Sequence, residues 1–129
     1  VNINYIYEGE MMKMMRKIRN AMNNILKTTT RAKPMQRSED RQRDVNNRAK
    51  KLSLYQFDRC PYCSKVRRAL HGLNVQVELK DAKTDAIGEE LVKEGGKLQV
   101  PCLRITEDDG VRWMYESADI ITYLQKYFE

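Results

Sequence analysis

The chain has few cysteines, a single histidine and no long apolar run. Three of its 129 residues are cysteine and one is histidine. So few cysteines do not make the disulfide framework of a small secreted domain, and we expect a reducing compartment. The sequence has no stretch of 18 apolar residues and no signal peptide with an apolar core, so we expect no segment that spans a bilayer. These absences favour a cytoplasmic protein that is soluble or, at most, attached to the inner face of the membrane.

The charge is distributed unevenly along the chain. The net charge is +6, but residues 1–51 hold 13 basic and 5 acidic side chains, whereas residues 52–129 hold 11 basic and 13 acidic ones. A chain of this length suffices for one domain and a tail. We therefore predict three parts, namely an N-terminal segment of uncertain structure (1–27), a polar linker (28–51) and a folded domain (52–129).

The basic tail has two different patterns. Over residues 11–27 apolar side chains recur at steps of three and four, with basic side chains on the other side, which predicts a basic amphipathic helix. Such a helix can lie on an anionic membrane surface or pack against a protein surface. The alternative is that this segment is a disordered arm. Residues 28–50 have almost no large apolar side chains, which predicts a linker with at most partial helix. This arginine-rich stretch lacks interleaved aromatics and includes acidic residues, so we expect no nucleic-acid partner.

The chemical centre of the chain is the motif Cys60-Pro61-Tyr62-Cys63. It follows a short apolar strand, residues 52–57, and precedes apolar side chains at helical spacing. Cys60 therefore lies at a helix N-terminus, where free backbone N–H groups and the helix dipole stabilise a thiolate. Pro61 suits the first helical position, and Cys63 lies about one turn behind, where it can attack a mixed disulfide on Cys60. The pattern is typical of a thiol–disulfide redox motif.

Two alternatives concern the cysteines. A zinc site would need two ligands besides Cys60 and Cys63, and the chain offers only Cys102 and His71, so we predict no metal site. Cys102 is interpreted as a small buried strand residue, with a second redox thiol as the alternative.

The remaining pattern completes an α/β fold. Val75, Val77 and Leu79 alternate with polar residues and predict a second strand, parallel to the first because a helix connects them. A helix over about 85–94, strands over 100–105 and 111–115, and a last helix with Ser117 as its N-cap follow. The order βαβαββα predicts a four-stranded mixed sheet in the smallest thioredoxin-like arrangement, preceded by a basic helical or disordered tail.

Three motifs in residues 52–129 resemble those of the glutaredoxins, in the branch close to the N-terminal domains of glutathione transferases. They are Cys60-Pro-Tyr-Cys63, Gln99-Val100-Pro101 and Glu116-Ser117-Ala-Asp-Ile120. The resemblance implies catalysis by Cys60 and Cys63 with glutathione as co-substrate. It also implies a set of glutathione-binding residues: Arg59, Tyr62, Gln99, Val100, Pro101, Glu116 and Ser117.

The resemblance also implies roles for some of these residues. A cis peptide before Pro101 would turn the backbone of Val100 toward Cys60, where it can pair with the extended glutathione chain. The Glu116 carboxylate would accept a hydrogen bond from the γ-glutamyl ammonium, and the Ser117 hydroxyl and the helix N-terminus would bind its carboxylate. One position departs from the family, because Phe57 stands where glutaredoxins usually have a lysine. Arg59 is the nearest cation in the sequence.

The resemblance implies a glutathione-dependent thiol–disulfide oxidoreductase that reduces protein–glutathione mixed disulfides and protein disulfides, in electron transport and cell redox homeostasis. Its expected partners are glutathione and proteins that carry glutathionylated or disulfide-bonded cysteines. Two alternatives stay open at this point. One is a dimer that holds an iron–sulfur cluster with Cys60 and glutathione, and the other is a redox adaptor tethered by the basic tail over residues 11–27.

Overall fold

The structure is a computed structural model that describes residues 12–19 and 33–129. The chain divides into two units at Lys33 and Pro34. In the first unit residues 12–19 are helical, as predicted, with Met12, Met14, Met15 and Ile18 exposed. The rest of the predicted helix over residues 11–27, and residues 1–10, lie outside the described residues. Of the helices described, none has both the length and the apolar character needed to cross a bilayer.

A four-stranded sheet forms the second unit. Its strands are β1 (Leu52–Gln56), β2 (Glu78–Asp81), β3 (Cys102–Glu107) and β4 (Gly110–Met114), in the spatial order β2-β1-β3-β4. β1 pairs in parallel with β2 and antiparallel with β3, which pairs antiparallel with β4. The predicted α/β class, the mixed sheet and the thioredoxin-like arrangement are confirmed.

Four α-helices surround the sheet: α1 (Glu39–Ala49), α2 (Pro61–Gly72), α3 (Asp85–Glu90) and α4 (Ser117–Phe128). α3 continues directly into a π-helical turn, Leu91–Gly95, which ends at Gly96 with a φ of 95°. The left-handed conformation of Gly96 explains why a glycine stands at this helix end. The last helix begins one residue earlier than predicted, with Glu116 rather than Ser117 as the N-cap.

The core lies on both faces of β1, because successive side chains of a strand point to opposite sides. Leu52 and Leu54 join the larger cluster with α2 and α4. Tyr55 joins a smaller cluster on the other face with Leu91 and Cys102. Two of the helices in the larger cluster, α2 and α4, have their N-termini at the end of the sheet where β1 finishes.

The second strand is shorter than its alternating pattern predicts. Val75 is buried, but its N–H donates to the carbonyl of Leu70 at the end of α2, 3.0 Å away. Asn74 has a φ of 54°, so the chain turns sharply before Val75 and joins the sheet only where Glu78 pairs with Ser53.

The predicted polar linker over residues 28–51 is wrong for the part from residue 34 onward, which belongs to the folded unit. Ser38 caps α1 by accepting a hydrogen bond from the Arg41 N–H, 3.4 Å away. Val45 and Ala49, four residues apart on one face of α1, are 3% and 2% exposed within the main core. Two apolar residues at helical spacing thus place one side of an otherwise polar helix in the core.

Arginines attach this segment to the ends of two other helices. The Arg37 guanidinium donates to the carbonyl of Leu73 after α2 and to that of Phe128 at the end of α4, both at 2.6 Å. Arg48 donates to the carbonyl of Tyr127 and lies over its ring, 4.9 Å from the centroid. Carbonyls at helix C-termini lack N–H donors within the helix. The two arginines provide these donors, and their positive charges suit the negative end of the helix dipole.

Candidate active site

Cys60 and Cys63 lie at the beginning of α2, where β1 ends. Cys60 is the N-cap residue with extended φ and ψ of −76° and 123°, and Pro61 follows as the first helical residue. Cys60 is partly exposed, whereas Cys63 is fully buried one turn further on. All three cysteines of the chain are free thiols. The site therefore presents one accessible sulfur with a second one directly behind it.

The environment of Cys60 favours its thiolate. Burial by itself raises the pKa of the thiol, but hydrogen bonds from the backbone N–H of Cys63, from its thiol and from the N–H of Tyr62 oppose that effect, as does the charge of Arg67. The sum lowers the pKa of Cys60 below its ordinary value. Free N–H groups at a helix N-terminus thus act as the sequence predicts.

The environment of Cys63, in contrast, favours its neutral thiol. Burial raises its pKa to about 11, and its hydrogen bond to Cys60 and the negative charge there add to this effect. At pH 7 Cys63 is therefore a neutral thiol, and its S–H can donate to Cys60 when Cys60 is ionised. The two sulfurs have distinct states although they stand three residues apart.

Arg67 is a site residue that the sequence reasoning missed. Its guanidinium donates to the Gln56 side chain, to the Phe57 carbonyl at 3.4 Å and to the Asp58 carbonyl at 3.0 Å. It thereby holds the loop before Cys60 and places a positive charge near both thiols. The available signal was its spacing, seven residues or two helical turns after Cys60.

The sheet register brings the three sequence motifs to one end of the sheet. Tyr55 pairs with Cys102, and Leu103 pairs with Met114. If the first pairing is continued by one residue, Gln56 lies beside Pro101. If the second is continued by two residues, Pro101 lies beside Glu116. The peptide between Val100 and Pro101 is cis, as predicted.

The predicted glutathione-binding residues differ in exposure around this sheet end. Gln99 and Glu116 are exposed, Val100 and Ser117 are half-buried and Pro101 is buried. Arg59 and Tyr62, on the Cys60 side, are also exposed. The topology thus gathers the three motifs at one edge and leaves their polar groups open to solvent.

A lysine from another element lies close to the unusual Phe57. The Nζ atom of Lys83, which follows β2, is 5.6 Å from the centroid of the Phe57 ring. Both residues line an open groove of about 520 Å³ that extends to Val92 and Leu98. A positive charge is therefore present near this position although the sequence has no lysine there.

Cys102 lies in the strand after Pro101 and is fully buried. Burial raises the pKa of its thiol to about 11, although a hydrogen bond with the Tyr115 hydroxyl acts the other way. These features match a buried strand residue. Across residues 12–19 and 33–129, no three His, Cys, Asp or Glu side chains stand close enough together to hold a metal ion.

We expect iodoacetamide to alkylate Cys60 much faster than Cys63 or Cys102 in the native protein. A thiol with a pKa near 11 has a thiolate fraction of about 10⁻⁴ at pH 7. Because the Cys60 pKa is lowered, its reaction should extend to lower pH than that of an ordinary thiol and decline as the pH falls through that pKa. Peptide mass mapping at several pH values measures this order, and equal labelling of the three cysteines would contradict it.

Comparison with known proteins gives matches over the same part of the chain. Residues 54–129 match the family described as glutathione S-transferase, N-terminal domain. Glutaredoxin 2 of Escherichia coli (strain K12) is 39% identical over 75 residues, which are 58% of this chain and 33% of that protein. Prostaglandin E synthase 2 of Mus musculus is 35% identical over 78 residues, 59% of this chain and 19% of that protein.

A solved structure of glutaredoxin 2 from Salmonella typhimurium in complex with glutathione is 33% identical, with a TM-score of 0.45 over 60% of this chain and 35% of that one. The chain spans a third or less of the length of the two curated relatives named above.

Proposed function

The chain belongs to the family of glutathione S-transferase N-terminal domains, and from this we propose that it is a glutathione-dependent thiol–disulfide oxidoreductase acting through Cys60. The observation that supports the proposal best is the pair of unlike thiols. A partly exposed sulfur with a lowered pKa stands in front of a buried, protonated one. Attack on a disulfide requires a thiolate, and resolution requires a second thiol within reach. A reducing, cytoplasmic compartment is part of the proposal, because reduced glutathione must be present.

In the first route one protein cysteine is freed from glutathione. The Cys60 thiolate attacks the glutathione sulfur of the mixed disulfide, which forms a Cys60–glutathione disulfide and releases the protein thiolate. The thiolate of a second glutathione then attacks the glutathione sulfur on Cys60, which forms glutathione disulfide and releases Cys60 as a thiolate. The proton of that second glutathione goes to the protein product. The lowered pKa of Cys60 also makes it a good leaving group.

In the second route a protein disulfide is reduced. Cys60 attacks one sulfur and releases the other as a thiolate, which takes up a proton. Cys63 then gives up its proton and attacks the Cys60 sulfur, so that the substrate leaves as a dithiol and a Cys60–Cys63 disulfide forms. Two glutathiones reduce this disulfide and become glutathione disulfide.

The sheet end where the motifs meet would hold glutathione along its length. The Val100 backbone would pair with the peptide, while Glu116 and Ser117 at the α4 N-terminus would meet the γ-glutamyl end. Arg59, Tyr62 and Gln99 are exposed around the same edge. Lys83, close to Phe57, adds a cation that can meet the carboxylate at the other end of glutathione.

The test is reduction of the mixed disulfide of glutathione and cysteine, with reduced glutathione as electron donor and glutathione reductase as the coupled readout. We expect catalysed turnover that saturates with the mixed disulfide. A rate equal to the uncatalysed background would overturn the proposal, and iron binding after anaerobic reconstitution would then favour the iron–sulfur alternative.

The exposed side chains of residues 12–19 favour a second property, attachment to an anionic membrane surface. Met14, Met15 and Ile18 share one side of this helix, most of the basic side chains lie on the other, and the methionines and the isoleucine are exposed. Helices of this kind lie in the headgroup region with the apolar face inward. The redox domain would then act at the inner face of the membrane.

We expect the full chain to sediment with vesicles that contain about one third phosphatidylglycerol, and salt at about 0.5 M to release it, because the attraction is partly electrostatic. The double substitution Met15→Ser and Ile18→Ser should lower the bound fraction several-fold. Leu79→Ser, which changes an exposed apolar residue of β2, is the matched control and should bind as the wild type does. Equal binding of all three proteins would exclude this use of the helix.

A further inference from the structure

A basic surface flanks the thiol of Cys60 on the α2 side. It consists of Arg59, Lys65 and Arg68, all exposed, and we refer to these three residues as the basic rim. Helix α2 contains no acidic residue, and Asp58 is the one carboxylate in residues 57–72. The Asp58 side chain accepts a hydrogen bond from Gln56, 3.2 Å away.

The charges of the basic rim differ from those of the sheet strands in having no carboxylate partner among the described residues. Cations of the sheet are paired, since Lys80 meets Glu90, Arg104 meets Glu94 and Arg112 meets Glu107. Within the described part of the chain, no ion pair involves the basic rim or Arg67. Arg67 donates to uncharged oxygens, so its positive charge adds to that of the rim.

The rim continues along the helix from the reactive sulfur. Tyr62, Lys65 and Arg68 are spaced three residues apart, opposite the buried face of α2. Tyr62 is 59% exposed, and the Lys65 Nζ atom lies 5.3 Å from the centroid of its ring. This exposed ridge is therefore available to the surface of a substrate protein whose disulfide reaches Cys60. The α4 N-terminus, with Glu116 and Asp119, has the opposite charge.

We propose that the basic rim docks protein substrates that have acidic side chains next to the reacting disulfide. This inference rests on the proposed function and adds the class of protein substrate to it. Clustered, unneutralised charge beside a reactive group raises the rate of association with oppositely charged partners, by about 10- to 10³-fold in strongly steered systems. We expect the small glutathione–cysteine disulfide to gain much less from Lys65 and Arg68, because it does not have a protein surface that extends along the helix.

The test compares two synthetic peptides, each with one glutathionylated cysteine, flanked on both sides by two Glu or by two Gln. The wild type should reduce the Glu peptide with a kcat/KM about tenfold higher than the Gln peptide at low ionic strength. In Lys65→Glu/Arg68→Glu this ratio should fall to about one or below. Salt at about 0.5 M should reduce the wild-type ratio, because it shortens the Debye length and screens the attraction between the rim and the Glu side chains.

The matched control is Lys50→Glu/Lys126→Glu, which changes the net charge by the same amount. Lys50 precedes β1 and Lys126 is in the last turn of α4, so both lie at the end of the domain opposite Cys60. This variant should keep the wild-type ratio, and both variants should reduce the small glutathione–cysteine disulfide within about twofold of the wild-type rate. A wild-type ratio near one, or an equal fall in both variants, would overturn the docking surface.

Failure of the proposed function would be recognised separately, as absence of turnover of the small disulfide by the wild type. In that case binding of the reduced, fluorescently labelled peptides would be measured by anisotropy. Tighter binding of the Glu peptide by the wild type than by Lys65→Glu/Arg68→Glu would support the docking surface, and equal binding would overturn it.

Discussion

Replacing Cys60 with Ser is expected to lower turnover of the glutathione–cysteine disulfide by at least about 10³-fold. A serine hydroxyl does not ionise near neutral pH, so the nucleophile is lost while the side-chain size hardly changes. Cys63→Ser should keep at least about a third of the wild-type turnover, because glutathione itself resolves the intermediate on Cys60. The measurement is the coupled glutathione reductase assay with each purified variant.

The two serine variants serve as controls for each other, since both remove one sulfur from the same helix turn. Reduction of a protein disulfide should separate them in a different way, because that route needs Cys63 as well. Equal loss of mixed-disulfide turnover in both variants would contradict the assigned roles of nucleophile and resolving thiol.

Val45→Asp is expected to lower the free energy of unfolding by about 3 kcal/mol or more. Residue 45 is remote from both thiols in sequence, and the expected effect depends on its burial. The Val45 side chain is 3% exposed and belongs to the main core. A carboxylate there would be buried without a partner and would also remove apolar contact. Chemical denaturation followed by far-UV circular dichroism measures the change.

Asn47→Asp is the matched control, because it introduces the same carboxylate on the same helix at an exposed position. It should alter the free energy of unfolding by no more than about 0.5 kcal/mol. If the two variants unfold at the same denaturant concentration, α1 does not belong to the cooperative unit.

The parts of the fold and site that could be predicted are those that depend on residues close together in the sequence. The strand before Cys60, the proline at the first helical position and the apolar period after Cys63 depend on near neighbours, and α2 begins where they predict. The predicted resemblance to the glutaredoxins is confirmed by the 39% identity over 75 residues to glutaredoxin 2 of Escherichia coli. The cis peptide before Pro101 agrees with it as well.

The features that were missed depend on distant parts of the chain. Nothing near Val45 and Ala49 shows that two apolar residues in a polar stretch have a place in the core, because their partners belong to other elements. Arg67 is likewise one of several basic residues in α2 until the fold turns it toward the carbonyls of Phe57 and Asp58. A sequence pattern shows which residues share a face of a helix or strand, but it does not show which other elements pack against that face.

The contact between Arg37 and the Phe128 carbonyl also constrains the order of events during protein synthesis. The two residues are 91 positions apart in the sequence. Contacts between residues so far apart form late, since the intervening chain must first be made and brought together. During translation α1 leaves the ribosome long before α4 and lacks the α4 part of its docking surface until then. The active-site loop is therefore synthesised well before the domain can close, and its cysteines meet reductants and oxidants of the cell while the fold is incomplete.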